Sequence, residues 1–297
     1  MNIFGVISVR NEERYLPGFL FHLAPYVNAI IALDDCSSDA TADILRSEPK
    51  VISVLREHRL SPAHAHEVSN RHRLLTEAAR LGADWILCAD ADERFEERFL
   101  RRLRVEARMG DERGEPVRLL QLVNLWNSRN HYRADGLCQP RWSARMFRLP
   151  PTITLRSPGM HQPWFPQELQ HESRANMRAN LYHLRMIERQ DRVARFEKFS
   201  MVDPDSRDQA VGYRHLIDEA GLKLKRISMG RGYIDLAEGI GAFENPIPSR
   251  GRSFFGWRKP ARLQKPVEPA KKSEPEIPEL LGFDFNAIFA DRRHRSS

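Results

Sequence analysis

The chain has few covalent fasteners. Its 297 residues include three cysteines, Cys36, Cys88 and Cys138, widely spaced and with no C-x-x-C pair. That argues against a disulfide framework and a structural zinc site, and fits small buried thiols in a reducing compartment. No apolar run approaches the roughly 20 residues needed to cross a bilayer. The start, Met1 to Val9, has no basic stretch ahead of its short apolar run, so it reads as a first strand rather than a signal peptide. Neither G-x-G-x-x-G nor G-x-x-x-x-G-K-[ST] occurs, which counts against a dinucleotide-binding Rossmann domain and a P-loop NTPase. There is no internal repeat.

What is present suits a globular α/β protein. A hydrophobic fraction of 41% supports a substantial core, in one large domain or two small ones. The net charge of +7 is spread along the chain. It implies a general attraction to anions rather than a dedicated nucleic-acid surface, and no nucleic-acid partner is expected.

The first half alternates β-rich runs with helical patterns, the signature of parallel βαβ units. Strands are predicted at Ile3 to Val9, Ala29 to Leu33, Val51 to Leu55, Trp85 to Cys88 and Val117 to Leu125. Helices are predicted at Tyr15 to Leu23, Ala40 to Arg46, Glu67 to Leu81 and Glu96 to Ala107. Ser37 and Ser38 offer N-cap oxygens to the second of these. Residues 124–171 are irregular and rich in Trp, Pro, Arg and His. Helical periodicity returns at Leu184 to Phe199 and at Ser206 to Leu224. Beyond Glu244, seven prolines among Lys, Arg and Glu predict an extended tail.

Three strands stop at acids. Asp34-Asp35 follows the second strand, Asp90-Ala91-Asp92-Glu93 follows the fourth, and Glu12 follows the first. Carboxylates at the carboxyl edge of a parallel sheet lie where open α/β sheets bind ligands. Asp90 and Asp92, one residue apart, can project toward one divalent ion. Mg²⁺ or Mn²⁺ takes one or two protein carboxylates there, with phosphates and water completing its shell. The same tripeptide is also an ordinary solvated helix start. A carboxylate at Asp35 can accept hydrogen bonds from a nucleoside.

Taken in order, Val9-Arg10-Asn11-Glu12-Glu13, Leu33-Asp34-Asp35-Cys36-Ser37-Ser38-Asp39 and Trp85-Ile86-Leu87-Cys88-Ala89-Asp90-Ala91-Asp92 resemble glycosyltransferase family 2, which has the GT-A fold. In that family the second segment is usually Asp-Asp-Gly-Ser-x-Asp, and here Cys36 stands in the glycine's place. The resemblance covers residues 1–200 and is clearest over the first 95. It implies a three-layer α/β/α sandwich with a mainly parallel central sheet. It further implies that Glu12, Asp34, Asp35, Arg71 and Asp90 contact the donor, and that Asp90 and Asp92 hold Mn²⁺ or Mg²⁺. Arg71 suits phosphate because its fork matches an oxyanion.

The second half resembles one branch of the family, which includes bacterial lipopolysaccharide-type sugar transferases. Arg141 to Phe147 and Pro158-Gly159-Met160-His161-Gln162 stand where that branch carries Arg-x-Phe-Arg and then Gly-x-His-Glu. Gln162 cannot act as a base. His161 is a candidate metal ligand or base, and a loop histidine with only structural partners is the rival reading. Tyr182-His183-Leu184-Arg185 leads into a helix with Lys198 near its end. An inverting transfer needs a group to take the acceptor's proton. His161, Asp135, Glu168 and Glu172 are the candidates, and the residues alone do not choose between them. His58, His64, His66 and His72 read as a polar loop rather than a zinc site. The basic, aromatic stretch from Arg250 to Arg262 reads as membrane-surface contact, as nucleic-acid contact or as a tail folded on the domain.

The expected organisation is a GT-A domain over 1–200, a helical extension over 201–243 and a proline-rich basic tail over 244–297. The expected activity is transfer of a sugar from a nucleotide-sugar donor, UDP-sugar first, to a glycan or lipid-linked acceptor. The expected setting is cytoplasmic, with peripheral contact at the inner face of the membrane. Two rivals share the acidic edge. One is a metal-dependent nucleotidyltransferase or phosphohydrolase, which the glycine-free segment Val9 to Glu13 disfavours. The other is an inactive binding protein of the same fold, which Gln162 keeps open.

Overall fold

The structure is a computed structural model that describes residues 1–57, 66–154, 163–205 and 212–236. The described residues all fall within one compact unit. Residues 249–297, with the basic, aromatic tail, lie outside the described residues, as do His58, His64, His161 and Gln162.

The first half runs β1 (Ile3–Val9), α1 (Leu16–Leu23), β2 (Ala29–Asp34), α2 (Thr41–Ser47), β3 (Val51–Arg56), α3 (Glu67–Arg80), β4 (Trp85–Cys88), β5 (Glu93–Phe95), α4 (Glu97–Arg113) and β6 (Val117–Asn124). There follow β7 (His131–Arg133), β8 (Arg141–Arg148), β9 (Arg174–His183), α5 (Arg189–Val202) and β10 (Leu224–Arg226). Eight strands form one sheet in the order β3-β2-β1-β4-β8-β6-β9-β5, and β7 pairs with β10 in a small second sheet. Strands β1 to β4 are parallel, as is the β6–β9 pair. Strand β8 runs antiparallel to both neighbours, and β5 runs antiparallel to β9.

The central strands are buried on both faces, which explains their nearly unbroken apolar runs. Side chains alternate strictly. Ile3, Ile7, Ile30, Trp85 and Leu87 pack with α1 and α4, through Phe19, Leu103 and Ala107. Phe4, Val6, Ile31, Ile86 and Cys88 pack on the other side against Leu74, Leu75 and Ala78 of α3. Helices thus cover both faces of the sheet, giving the three layers. Gly110 lets α4 come close to the sheet, since a Cβ there would sit 2.5 Å from the Trp85 ring. No helix among the described residues is long and apolar enough to cross a membrane.

Two stretches differ from the sequence reading. The span from Leu184 to Phe199 is not one helix. A 3-10 turn, Leu184–Met186, comes first, and α5 starts only at Arg189 after extended Glu188. The helix expected over 206–224 does not form in its described part, 212–224. That segment holds a 3-10 turn at Arg214–Leu216 and left-handed Gly212 and Gly221. Its apolar residues Tyr213 and Leu216 instead pack on Trp126, Cys138 and Met186.

Candidate functional site

The loops after β1 and β2 are sewn together by side chains. Asn11 N donates to Ser37 Oγ at 2.9 Å, and Ser38 N donates to Asn11 Oδ1 at 2.8 Å. Glu12 N donates to Thr41 Oγ1 at 2.8 Å, and Ala40 N donates to Glu13 at 3.1 Å. Ser37 and Ser38 therefore do not cap α2 as expected. Asp39 takes that place, accepting from Thr41 N at 3.0 Å. Between the loops, Cys36 is left-handed at φ 63°, a conformation that carries a steric cost for any residue with a Cβ. Its thiol donates to Glu57 O at 3.1 Å.

Beyond these loops opens a cavity of about 730 Å³, lined by the ends of β1, β2 and β4, by α3, by β8 and by α5. Asp35, Arg71 and Asp90 line it, together with Arg10, Glu93, Arg145 and His183. The strand-end acids divide their work. Asp34 is buried and turned into its own loop, accepting from Ser37 N at 3.0 Å and lying 3.7 Å from Arg56. Asp35, its neighbour, is the one at the cavity.

Asp90 and Asp92 also part ways. The Asp90 side chain is 52% exposed, 4.0 Å from Arg145. Asp92 is buried beneath it, held by two side chains from the end of β9 and the turn that follows. Arg185 donates to Asp92 Oδ2 at 2.6 Å through Nε, and to both oxygens of Glu12 through its terminal nitrogen. His183 Nε2 lies 3.3 Å from Asp92 Oδ2, and its Nδ1 is 3.1 Å from Asn124 Oδ1. Burial opposes the charge on Asp92, but His183 and Arg185 outweigh it and hold the carboxyl well below its ordinary range. Burial wins at Glu12, which rises to about 7 despite Arg185, aided by the negative charges of Asp92 and Asp90. Burial also raises Glu93, whose partner is Arg145 at 2.7 Å.

Among the described residues no group of three or more His, Cys, Asp and Glu side chains could hold a metal ion. Asp90, which lines the cavity, is part of an incomplete donor set, because Asp92 is taken up by Arg185 and His183. It fits an ion that keeps water and takes oxygens from a bound phosphate, as Mg²⁺ does, and not a closed protein cage.

The remaining candidates scatter. Arg71 lines the cavity, paired with Glu67 and lying 4.5 Å over the Trp164 ring. Asp135 does not line it. It accepts from Arg133 Nε at 2.9 Å and from Lys223 N at 2.7 Å, tying β7 to the segment before β10. Glu168 also lies off the cavity and accepts from Thr154 N at 2.9 Å, while Glu172 is exposed outside it. None of the three base candidates lines the cavity among the described residues. His66 precedes α3, and His72 reaches Ile153 O at 3.1 Å. The residues that pattern reading gave no role are Glu93, Arg145, His183 and Arg185. Their visible signals are the acidic turn that ends in Glu93, the Arg141 to Phe147 segment and the pair His183-x-Arg185 at a strand end.

No family model matches the chain. Two uncharacterized proteins, from Mycobacterium bovis and Mycobacterium tuberculosis, are each 26% identical over 242 residues, which is 75% of this chain. The chain spans 57% of the length of those relatives. Among solved structures, S. aureus TarS is 16% identical over 73% of this chain and 41% of its own, with a TM-score of 0.43. Glucosyl-3-phosphoglycerate synthase from Mycobacterium tuberculosis, in complex with Mn²⁺, UDP and glucosyl-3-phosphoglycerate, is 20% identical over 42% of this chain and 44% of its own, at 0.31. A 4-diphosphocytidyl-2C-methyl-D-erythritol synthase is 13% identical over 60% of this chain and 90% of its own, at 0.40. The chain is a mixed α/β protein of three layers.

Proposed function

We propose that this protein is a glycosyltransferase that moves a sugar from a nucleoside-diphosphate sugar to an acceptor hydroxyl, with inversion at the anomeric carbon. The reading rests on one observation: Asp35, Asp90, Arg10 and Arg71 surround a single cavity at the carboxyl ends of parallel strands β1, β2 and β4. Ligands of open α/β sheets bind at that edge. In this scheme Asp35 accepts from the nucleoside, and Arg10 and Arg71 face its phosphates. Asp90 is the carboxylate offered to Mn²⁺ or Mg²⁺, with the donor's phosphates and water completing the shell, and the ion when bound offsets charge on the departing diphosphate. With Asp135, Glu168 and Glu172 outside the cavity lining, His161 is the base candidate to test. The acceptor is a hydroxyl on a glycan or lipid-linked sugar.

The test is a panel of nucleotide sugars, UDP-sugars first, incubated with Mn²⁺ or Mg²⁺ and assayed for slow donor hydrolysis. Release of nucleoside diphosphate from one donor, lost on chelation and in Asp90→Asn, is expected. Release of pyrophosphate would instead assign a nucleotidyltransferase. Binding of a donor without any turnover would assign an inactive protein of this fold.

A further inference from the structure

The cavity holds more positive charge than a nucleotide sugar and its metal need. Among the described residues, seven Arg and Lys side chains line it against four carboxylates. The Glu12–Arg185–Asp92 group behind the wall adds up to one net negative charge, leaving a surplus of at least two cations. A diphosphate and its divalent ion roughly cancel one another, so a bound donor leaves that surplus in place.

The surplus is localised. Arg141 opens β8, while Arg195 and Lys198 stand three residues apart on α5 and so share one helix face. All three line the cavity, and among the described residues none of their side chains makes a hydrogen bond or an ion pair. Arg195 has only the ring of Phe199, 5.0 Å away. They also oppose one another. Besides burial, Arg145 and Arg195 lower the Arg141 pKa, and Arg195 and Arg185 lower that of Lys198. Three like charges, opposed only in part by Glu93 and Glu12, are poor for stability and good for capturing an anion.

We propose that Arg141, Arg195 and Lys198 form an acceptor subsite for a phosphate group, so that the sugar is passed to a phosphate-bearing acceptor. This rests on the transferase reading above. A phosphate brings about −1.5 to −2 charges near neutral pH, which matches the surplus, and guanidinium forks fit its oxygens.

The experiment is calorimetric. Whichever of UDP, GDP, CDP and dTDP binds with Mg²⁺ is saturated first, and inorganic phosphate is then titrated into that complex. Phosphate is expected to bind without displacing the nucleotide. Arg195→Ala/Lys198→Ala and Arg141→Ala are expected to lose at least tenfold in phosphate affinity, with nucleotide affinity within threefold and no fall in Tm. Glycerol 3-phosphate and vesicles containing phosphatidic acid are then offered separately. Cluster-dependent binding of either supports the subsite and tells whether the phosphate is soluble or lipid-borne. Displacement of the nucleotide by phosphate, or parallel loss of nucleotide binding in the variants, would overturn the proposal and give the cluster to the donor. Absence of phosphate binding, or phosphate binding unchanged in the variants, overturns it as well. If no nucleotide binds at all, the transferase reading fails, and the acceptor role goes with it.

Discussion

Arg185 donates through Nε to Asp92 at 2.6 Å, while its terminal nitrogen grips Glu12, which lies 173 residues away in sequence. One guanidinium therefore clamps the loop after β1 to the loop after β4. Removing one partner of a buried pair strands the other, at about 3–5 kcal/mol. Asp92→Ala is thus expected to lower stability by that order, and a loss of nucleotide binding in it would not isolate a metal role. Asp90, half exposed and without a close partner beyond Arg145 at 4.0 Å, is the cleaner probe. Asp90→Asn should change stability by no more than about 0.5 kcal/mol while weakening Mn²⁺-dependent nucleotide binding at least tenfold. Urea denaturation and calorimetry on both variants check this. Metal-dependent binding that survives in Asp90→Asn would remove Asp90 from the metal's donor set.

Glu12 predicts a pH dependence with a definite sign. Its pKa rises from 4.5 to about 7 in the folded protein, so the fold holds this proton more tightly than the unfolded chain does. The resulting stabilisation is complete below pH 4.5 and is lost as the pH climbs through 7. Wild type should therefore lose stability relative to Glu12→Gln between pH 5 and pH 8, by on the order of 1–3 kcal/mol. Chemical denaturation of both proteins across that range measures the difference, with every other titrating group cancelled. A flat difference would mean that Arg185 keeps Glu12 ionised throughout.

Which parts of the site could be read in advance follows from the distances involved. Strands β1, β2 and β4 end at acids, and their apolar runs are local signals, so Asp35 and Asp90 could be set at the sheet's carboxyl edge from pattern alone. Arg145 and His183 reach the same cavity only because β8 pairs with β4 and β6, and β9 with β6. Those pairings join segments far apart in sequence, within or next to a stretch whose Trp, Pro and Arg content hides its strand period. Arg185 was hidden differently. The apolar spacing of Leu184 to Phe199 is helical throughout, yet the chain takes a 3-10 turn and an extended residue before α5 begins. That break turns the Arg185 side chain back onto Asp92 and Glu12.

Asp135 illustrates the opposite case, a candidate acid with a structural occupation. Two nitrogens of Arg133 donate to one of its oxygens and Lys223 N to the other. The Arg133 hydrogen bonds chiefly lower its pKa, against the rise that burial alone gives. Asp135→Asn should leave donor turnover unchanged and cost about 1–2 kcal/mol of stability, since it weakens charge-assisted bonds at a mostly buried position. Turnover falling a hundredfold with stability intact would restore Asp135 as a base.

Cys36 makes the last test, of strain at the turn that carries Asp35. Its φ of 63° is left-handed, which costs a residue with a Cβ about 1–2 kcal/mol. Glycine is free of that cost but loses about 0.5–1 kcal/mol of backbone entropy, and the thiol's bond to Glu57 O disappears with it. These terms nearly balance, so Cys36→Gly should change stability by no more than about 1 kcal/mol and leave nucleotide binding as it is. Valine is a sharper probe, because a β-branched side chain is rarely accommodated at positive φ. Cys36→Val should lose more than about 1 kcal/mol and also weaken nucleotide binding, because relaxing this turn would move the neighbouring Asp35. If valine were tolerated with binding unchanged, the turn would not be what positions Asp35 at the cavity.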